Sequence, residues 1–193
     1  MVIYHWAWKD GETFLRFVRK RGIDVEIYEQ SVGRGAQLML GLAPDRRGLL
    51  PEADVKRLQE FGETVRHGYR DNLVARRVQT TNAFAEALDG DPDTFWSAAP
   101  GNRQATIEVQ FAKPVTFDRA LTMEWLNQGQ HVEHYRIESW DGKAWKAVTE
   151  GHPIGHKKID VFAPVTASRV RLKILGASGE IGIREFQLYR AGR

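Results

Sequence analysis

From about residue 78 onward the apolar residues of this chain settle into a period of two. Ile107, Val109 and Phe111 alternate with polar neighbours, and so do Leu121, Met123 and Trp125. Tyr135 with Ile137, Val170 with Leu172 and Ile174, and Phe186 with Leu188 repeat the pattern. Successive side chains of a strand point to opposite faces, so this rhythm means one dry face and one wet face. Asp141-Gly142, lying between Trp140 and Trp145, predicts a two-residue hairpin, because glycine accepts the positive φ that such a turn needs. Seven or more short strands separated by turn formers predict an antiparallel β-sandwich.

The preceding residues follow a different rule. Phe14, Phe17 and Val18 share a helical face until Gly22, and Val25, Ile27, Tyr28 and Val32 form a second stripe that ends at Gly33 and Gly35. The run Leu38-Met39-Leu40-Gly41-Leu42 predicts a short strand buried on both faces. Pro44 to Gly48 reads as a loop. Pro51 suits the first turn of a helix, and Glu52 and Asp54 suit its positive N-terminal end. Val55, Leu58, Phe61 and Val65 then recur at helical spacing. Helix, buried strand and helix in that order make a piece of a layered βα fold. The seam falls within residues 67–81, which gives an α/β segment over 1–76 and an all-β segment over 77–193.

Composition narrows the function. There is no cysteine, which removes disulfides, thiolate metal sites and cysteine nucleophiles together. The net charge of +3 is spread evenly, with no basic face of the kind a nucleic-acid reader carries, so no nucleic-acid partner is expected. No apolar run reaches the roughly 18 residues of a membrane span, so no membrane partner is expected either. The first residues do not read as a signal peptide. That fits a cytoplasmic protein, and equally an exported bacterial one whose leader is not in this chain.

The stretch "AEALDGDPDTFWSA", residues 85–98, with "WDGKAW" and "VRLKIL…IREFQLY" further on, resembles the discoidin-like, or coagulation-factor C-type, jelly roll. The resemblance runs from Asn82 to Tyr189. It implies a carbohydrate-binding module and a structural calcium in the Asp-Gly-Asp loop. On that resemblance the ion would take the carbonyl of Glu86, Asp89, Asp91, Thr94 and Glu185, a set of oxygens that suits a hard cation. A turn held by aspartates without metal is the alternative. Trp96 falls at a packing position. Sugar contacts on the loops would come from His131, His134, His152, His156, Arg103 or Asn127, which sequence does not rank.

"SVGRGAQLMLGLAPDRRGLLPEADVKRLQEFG", residues 31–62, resembles the closing strand and helix of the catalytic (β/α)8 barrel in α-L-fucosidases of glycoside hydrolase family 29. The upstream "YHWAWKDGE" is similar to the segment that places an aromatic residue against fucose, which implies Trp6 as a substrate contact. The fold expected overall is therefore an α/β remnant of a (β/α)8 barrel followed by an all-β discoidin-like sandwich. Gly41 stands where the family usually has asparagine. A full barrel takes about 250 residues, and fewer than 80 precede the sandwich.

That shortfall governs the chemistry. A retaining glycosidase needs two carboxyl groups about 5 Å apart, and no segment here matches the family's nucleophile strand. Asp10, Glu12, Asp24, Glu26 and Glu29 match no catalytic motif, and the catalytic residues stay unassigned. Glu26 and Glu29 read as surface charges, and Asp45 with Arg46 and Arg47 as an ion pair that fixes a turn. Three readings follow. One is a truncated fucosidase-lineage hydrolase whose site is completed by another chain. The second is a non-catalytic carbohydrate-binding oligomer. The third is a subunit completing a separately encoded barrel. The expected partners are a fucosylated or other glycan and either further copies of the chain or a complementary barrel chain. No organic cofactor is expected.

Overall fold

A computed structural model describes residues 2–4, 23–77 and 82–191. Trp6, Asp10, Glu12 and the predicted helix over residues 13–22 lie outside the described residues. The chain divides into two compact units, Met1–Arg70 and Asp71–Arg193.

In the first unit, strand β1 (Val2–Tyr4) pairs in parallel with β2 (Leu38–Leu40), in register Val2↔Leu38 to Tyr4↔Leu40. Between them lie helix α1 (Ile23–Gln30) and a 3-10 turn, Val32–Arg34, closed by Gly35 in the left-handed region. Helix α2 (Glu52–Gly68) starts at Pro51 with Glu52 and Asp54 in its first turn, as its sequence predicts. Two expectations fail here. Met39 is 47% exposed, with Leu38 and Leu40 only half-buried, so β2 is not a strand buried on both faces. Glu29 is not a surface charge. It is 4% exposed and accepts a hydrogen bond from the Tyr69 hydroxyl at 2.9 Å, because its side of α1 meets the end of α2. Tyr28 and Tyr69 pack beside it with ring centroids 5.4 Å apart. Asp45 does fix its turn, accepting Arg47 N–H at 2.8 Å and Arg47 Nε–H at 2.9 Å.

The second unit holds a short helix α3 (Leu73–Arg77), a 3-10 turn at Asn82–Ala87, and six strands. These are β3 (Trp96–Ser97), β4 (Ala105–Glu124), β5 (Val132–Trp140), β6 (Trp145–Gly151), β7 (Lys158–Ala177) and β8 (Gly182–Tyr189). They form one antiparallel sheet in the order β3-β8-β4-β7-β5-β6. The alternation is as predicted but the count is not: among the described residues six strands replace seven or more, because two of them run for 20 residues. The β4–β7 register breaks between Gln110 and Val115 and again between Phe117 and Arg119. Pro114 on β4 and Pro164 on β7 fall in the stretches these breaks leave out of register. A proline has no N–H to give a ladder, so breaks are where it is tolerated.

The breaks matter for packing. Ile107 and Val109 from the first half of β4 share one core with Phe117 and Ala120 from its second half, and with Tyr135, Ile137, Leu172, Phe186 and Leu188. A flat sheet could not bring both halves together, so the long strands must bend around the core. Trp96 packs against this core as expected, edge-on to Phe84 at 5.6 Å. The hairpin differs from prediction. Trp140 pairs with Trp145 across a four-residue loop, Asp141–Ala144, rather than a two-residue one. Asp141 explains the longer turn: its carboxylate accepts the N–H groups of Lys143 and Ala144, both at 2.8 Å.

At Gly151 the fold leaves no room for a side chain. A β-carbon there would lie 2.5 Å from the hydroxyl of Tyr135, which is fully buried and donates to Asp160 at 2.7 Å. Gly151→Ala is expected to destabilise the chain by about 1–3 kcal/mol through overpacking. Chemical denaturation monitored by tryptophan fluorescence would show this as a lower midpoint with an unchanged slope.

Candidate functional site

Two places in the second unit gather polar groups. The first is the loop between the 3-10 turn and β3. Gly90, with φ 81°, lets the chain reverse there. Asp89 Oδ1 accepts the N–H of Asp91 at 2.8 Å, and Asp91 Oδ1 accepts the N–H of Asp93 at 2.9 Å, so two aspartates brace successive turns. Inside this curl the Thr94 hydroxyl lies 3.2 Å from the Glu86 carbonyl, 2.9 Å from Asp89 Oδ2 and 3.1 Å from the Asp91 carbonyl. One hydroxyl hydrogen can serve only one of three acceptors fully, so the curl holds more oxygens than donors.

Beneath it, on β8, Glu185 is 1% exposed. Its Oε2 accepts from Gln187 at 2.8 Å, and its Oε1 has no partner. Burial pushes its carboxyl up to about 7. The Gln187 hydrogen bond opposes this, Asp89 raises it further, the Gly90 N–H opposes it, and Asp91 adds a smaller rise. The sequence-predicted set of Glu86, Asp89, Asp91, Thr94 and Glu185 is thus brought together. Among the described residues no three His, Asp or Glu side chains are placed to hold a metal by themselves. The set leans instead on two backbone carbonyls and a hydroxyl, which are oxygen donors of the kind a hard cation accepts. An orphaned buried carboxylate oxygen beside donor-poor oxygens fits such an ion.

The second place is a cleft at the ends of the strands. It is lined by Phe95 and Ser97 near β3, Trp125, Gln128 and His131 after β4, and Glu180 before β8. Phe95 and Trp125 stack with centroids 4.1 Å apart and planes 6° apart, and the Arg184 guanidinium covers Trp125 at 4.9 Å. The loop carrying Trp125 to His131 is clamped from below. Glu124 is 2% exposed, and its Oε1 accepts the N–H groups of His131 at 2.6 Å and Val132 at 2.8 Å. Its Oε2 accepts the Gly155 N–H at 3.1 Å.

Of the six sugar-contact candidates, His131 alone lines this cleft. His134 and His152 stack on each other at 4.1 Å; His134 Nε2 meets Glu150, and His152 Nδ1 meets the Glu133 carbonyl at 2.9 Å. Both rings are therefore engaged in bracing β5 and β6. His156, Arg103 and Asn127 are exposed and outside the cleft lining. Sequence reasoning missed Trp125, Phe95, Gln128 and Glu180. Trp125 had a signal, since it closes an alternating run just ahead of a Gln-Gly-Gln turn, but it read as a strand position.

Residues 74–186 match the F5/8 type C domain family. The chain is similar to α-L-fucosidase 1 of Arabidopsis thaliana, at 24% identity over 176 residues covering 85% of this chain and 34% of that protein. It is similar in structure to a Ruminococcus gnavus GH29 fucosidase solved in complex with fucose, with TM-score 0.77 and 23% identity, covering 87% of this chain and 36% of that one. A glycoside hydrolase 29 family member from an unknown rumen bacterium gives TM-score 0.68 and 25% identity, covering 88% and 28%. The chain thus spans about a third of the length of the curated relative it matches. Through the sheet that carries both the acidic curl and the aromatic cleft, the chain belongs to the F5/8 type C family, joined to a leading segment in an order similar to that of the GH29 α-L-fucosidases.

Proposed function

We propose that this chain is the closing portion of an α-L-fucosidase-lineage glycoside hydrolase. It would supply the last strands of a (β/α)8 barrel together with a carbohydrate-binding sandwich. One observation carries the reading: the similarity to α-L-fucosidases runs through both compact units in a single stretch of 176 residues. The parallel β1–β2 pair, with helices between and after its strands, is the kind of unit that such a barrel repeats. Its apolar residues are bare: Met39, Leu49, Leu50 and Val55 are all exposed. Further strands, from another chain or another copy, would cover them.

In a barrel the site lies at the C-terminal ends of the strands. Here that end leads into the loop Gly41–Gly48. Asp45 in that loop is held below the usual carboxylate range, first by its hydrogen bond from Arg47. It is therefore ionised at neutral pH and cannot act as the acid. Its role is to shape the loop. The two carboxyl groups of a retaining mechanism would come from the completing strands, and Trp6 would offer fucose an aromatic face. On p-nitrophenyl α-L-fucoside the purified chain alone should show no turnover. Added polypeptide carrying the preceding barrel strands should restore it, with the product anomer retained by NMR. Turnover by the chain alone, made in a host lacking fucosidase, would overturn the need for completion.

We further propose a structural calcium in the acidic curl, held by the carbonyls of Glu86 and Asp91 with Asp89, Thr94 and Glu185. The ion would tie the entry loop to β8. Its sign in stability is testable. Glu185 has its carboxyl raised in the folded state, from an ordinary 4.5 to about 7, so without metal folding takes up a proton. That contribution is fully present below about pH 4.5 and is lost as pH rises through about 7, by at most about 3 kcal/mol. In chelator, the melting temperature should therefore fall across this window. Saturating calcium should raise it most at the alkaline end, and Glu185→Gln should flatten the chelator profile. A melting temperature indifferent to calcium at pH 8 would end the metal reading.

A further inference from the structure

We propose that Gln187 and Tyr189 are positioning residues for the ion of the acidic curl, an inference that rests on the calcium reading of that curl and deepens it. A directed chain of hydrogen bonds along β8 ties off one oxygen of Glu185 and leaves the other to the cation.

Residues 185, 187 and 189 fall on one face of β8, so their side chains stand in a row. The Tyr189 hydroxyl donates to Gln187 Oε1 at 2.5 Å, and Gln187 Nε2 donates to Glu185 Oε2 at 2.8 Å. This chain has a direction. A carboxylate only accepts, so Gln187 turns its N–H groups toward Glu185 and its oxygen toward Tyr189. The tyrosine hydroxyl, by donating to that oxygen, holds the amide in this sense. Glu185 is 1% exposed and Tyr189 6%, so water does not compete for the row.

The neighbouring strands offer Glu185 no substitute. In the β4–β8 register Leu121 lies opposite Gln187 and Met123 opposite Glu185, and neither side chain carries a hydrogen-bond donor. On the other edge, β3 pairs with β8 only at Gly182 and Ile183. The amide therefore serves Oε2, while Oε1 is buried and has no partner among the described residues. The Asp89 and Asp91 carboxylates lie close enough to act on its charge. A purely structural Gln–Glu pair would place its spare oxygen in water or on a donor. Here the spare oxygen is dry and beside further oxygens, which is unfavourable until a cation enters. The row thus fixes which oxygen of Glu185 meets the ion, and limits it to one rather than two.

Calcium binding to the full 193-residue chain would be measured by equilibrium dialysis for the wild type, Gln187→Met, Tyr189→Phe and the double variant. Methionine keeps the length of glutamine, and phenylalanine removes one hydroxyl. Gln187→Met is expected to weaken binding by about tenfold or more, through loss of a hydrogen bond to a charged group. Tyr189→Phe should weaken it by about threefold, because the amide is then free to turn. The double variant should be no weaker than Gln187→Met, since Tyr189 acts on the ion through the amide. Losses that multiply in the double variant would make the two residues independent supports of the strand and overturn the relay. Should Gln187→Met fail to fold, as read by near-ultraviolet circular dichroism, Tyr189→Phe decides, and unchanged affinity overturns the relay. Equal affinity in all four chains, abolished by Asp89→Asn, would overturn the positioning role and leave the calcium reading standing. Binding that survives Asp89→Asn, or no binding by the folded wild type, would overturn both.

Discussion

The pairing of β4 with β7 is the constraint on which the second unit depends. Each strand is 20 residues long, and each is interrupted where the other is. An unbroken antiparallel pair of that length would be a stiff, twisted ribbon with a hydrophobic face too extended to enclose anything. The shared breaks turn the ribbon into a bent one. Phe117 and Ile107 can then reach the same core, and β8 and β5 can flank β4 and β7 on opposite sides. The acidic curl precedes β3, and the cleft gathers the β4–β5 loop and the β7–β8 turn.

Those two features are joined by covalent neighbours. Thr94 gathers the oxygens of the curl, and Phe95, the next residue, is half of the aromatic pair. Trp96 follows, packed on the core. Three consecutive residues therefore serve a candidate ion site, a candidate ligand wall and the core. On the far side Glu185 lies beneath the curl, and Arg184, the residue before it, covers Trp125. An ion drawing Glu185 and the curl together would also set the spacing between Phe95 and Arg184, the two groups that sandwich Trp125.

Much of this was legible in the sequence, for identifiable reasons. Period-two alternation found the strands because one face of the sheet is packed on the core, and the helix at Glu52–Gly68 announced itself through Pro51 and its early acids. The acidic curl was legible because its oxygen-bearing residues sit close together in the chain, apart from Glu185. What escaped were features set by distant partners. Strand length escaped, since a bulge leaves the alternation on each side intact. Asp141 lengthened a hairpin by accepting two N–H groups, which the Asp-Gly pair alone does not reveal. Glu180 and Trp125 are 55 positions apart and meet only because β4 and β8 are neighbours.

Glu29 and Met39 err in opposite directions, and the pair is informative. A residue read as wet is dry, because Tyr69 of the next helix reaches over it and completes its hydrogen bonding. A residue read as dry is wet, although it sits in the most apolar run of its segment. Among the described residues the two helices of the first unit pack on each other, whereas β2 pairs with β1 alone. A two-stranded parallel pair is not a stable end point: parallel sheets are covered on both faces, and their edges are normally closed. An apolar run such as Leu38–Leu40 suits a central position in a larger sheet. The physical content of the barrel-closing proposal is that mismatch between an apolar strand and its exposed setting, which added strands would remove.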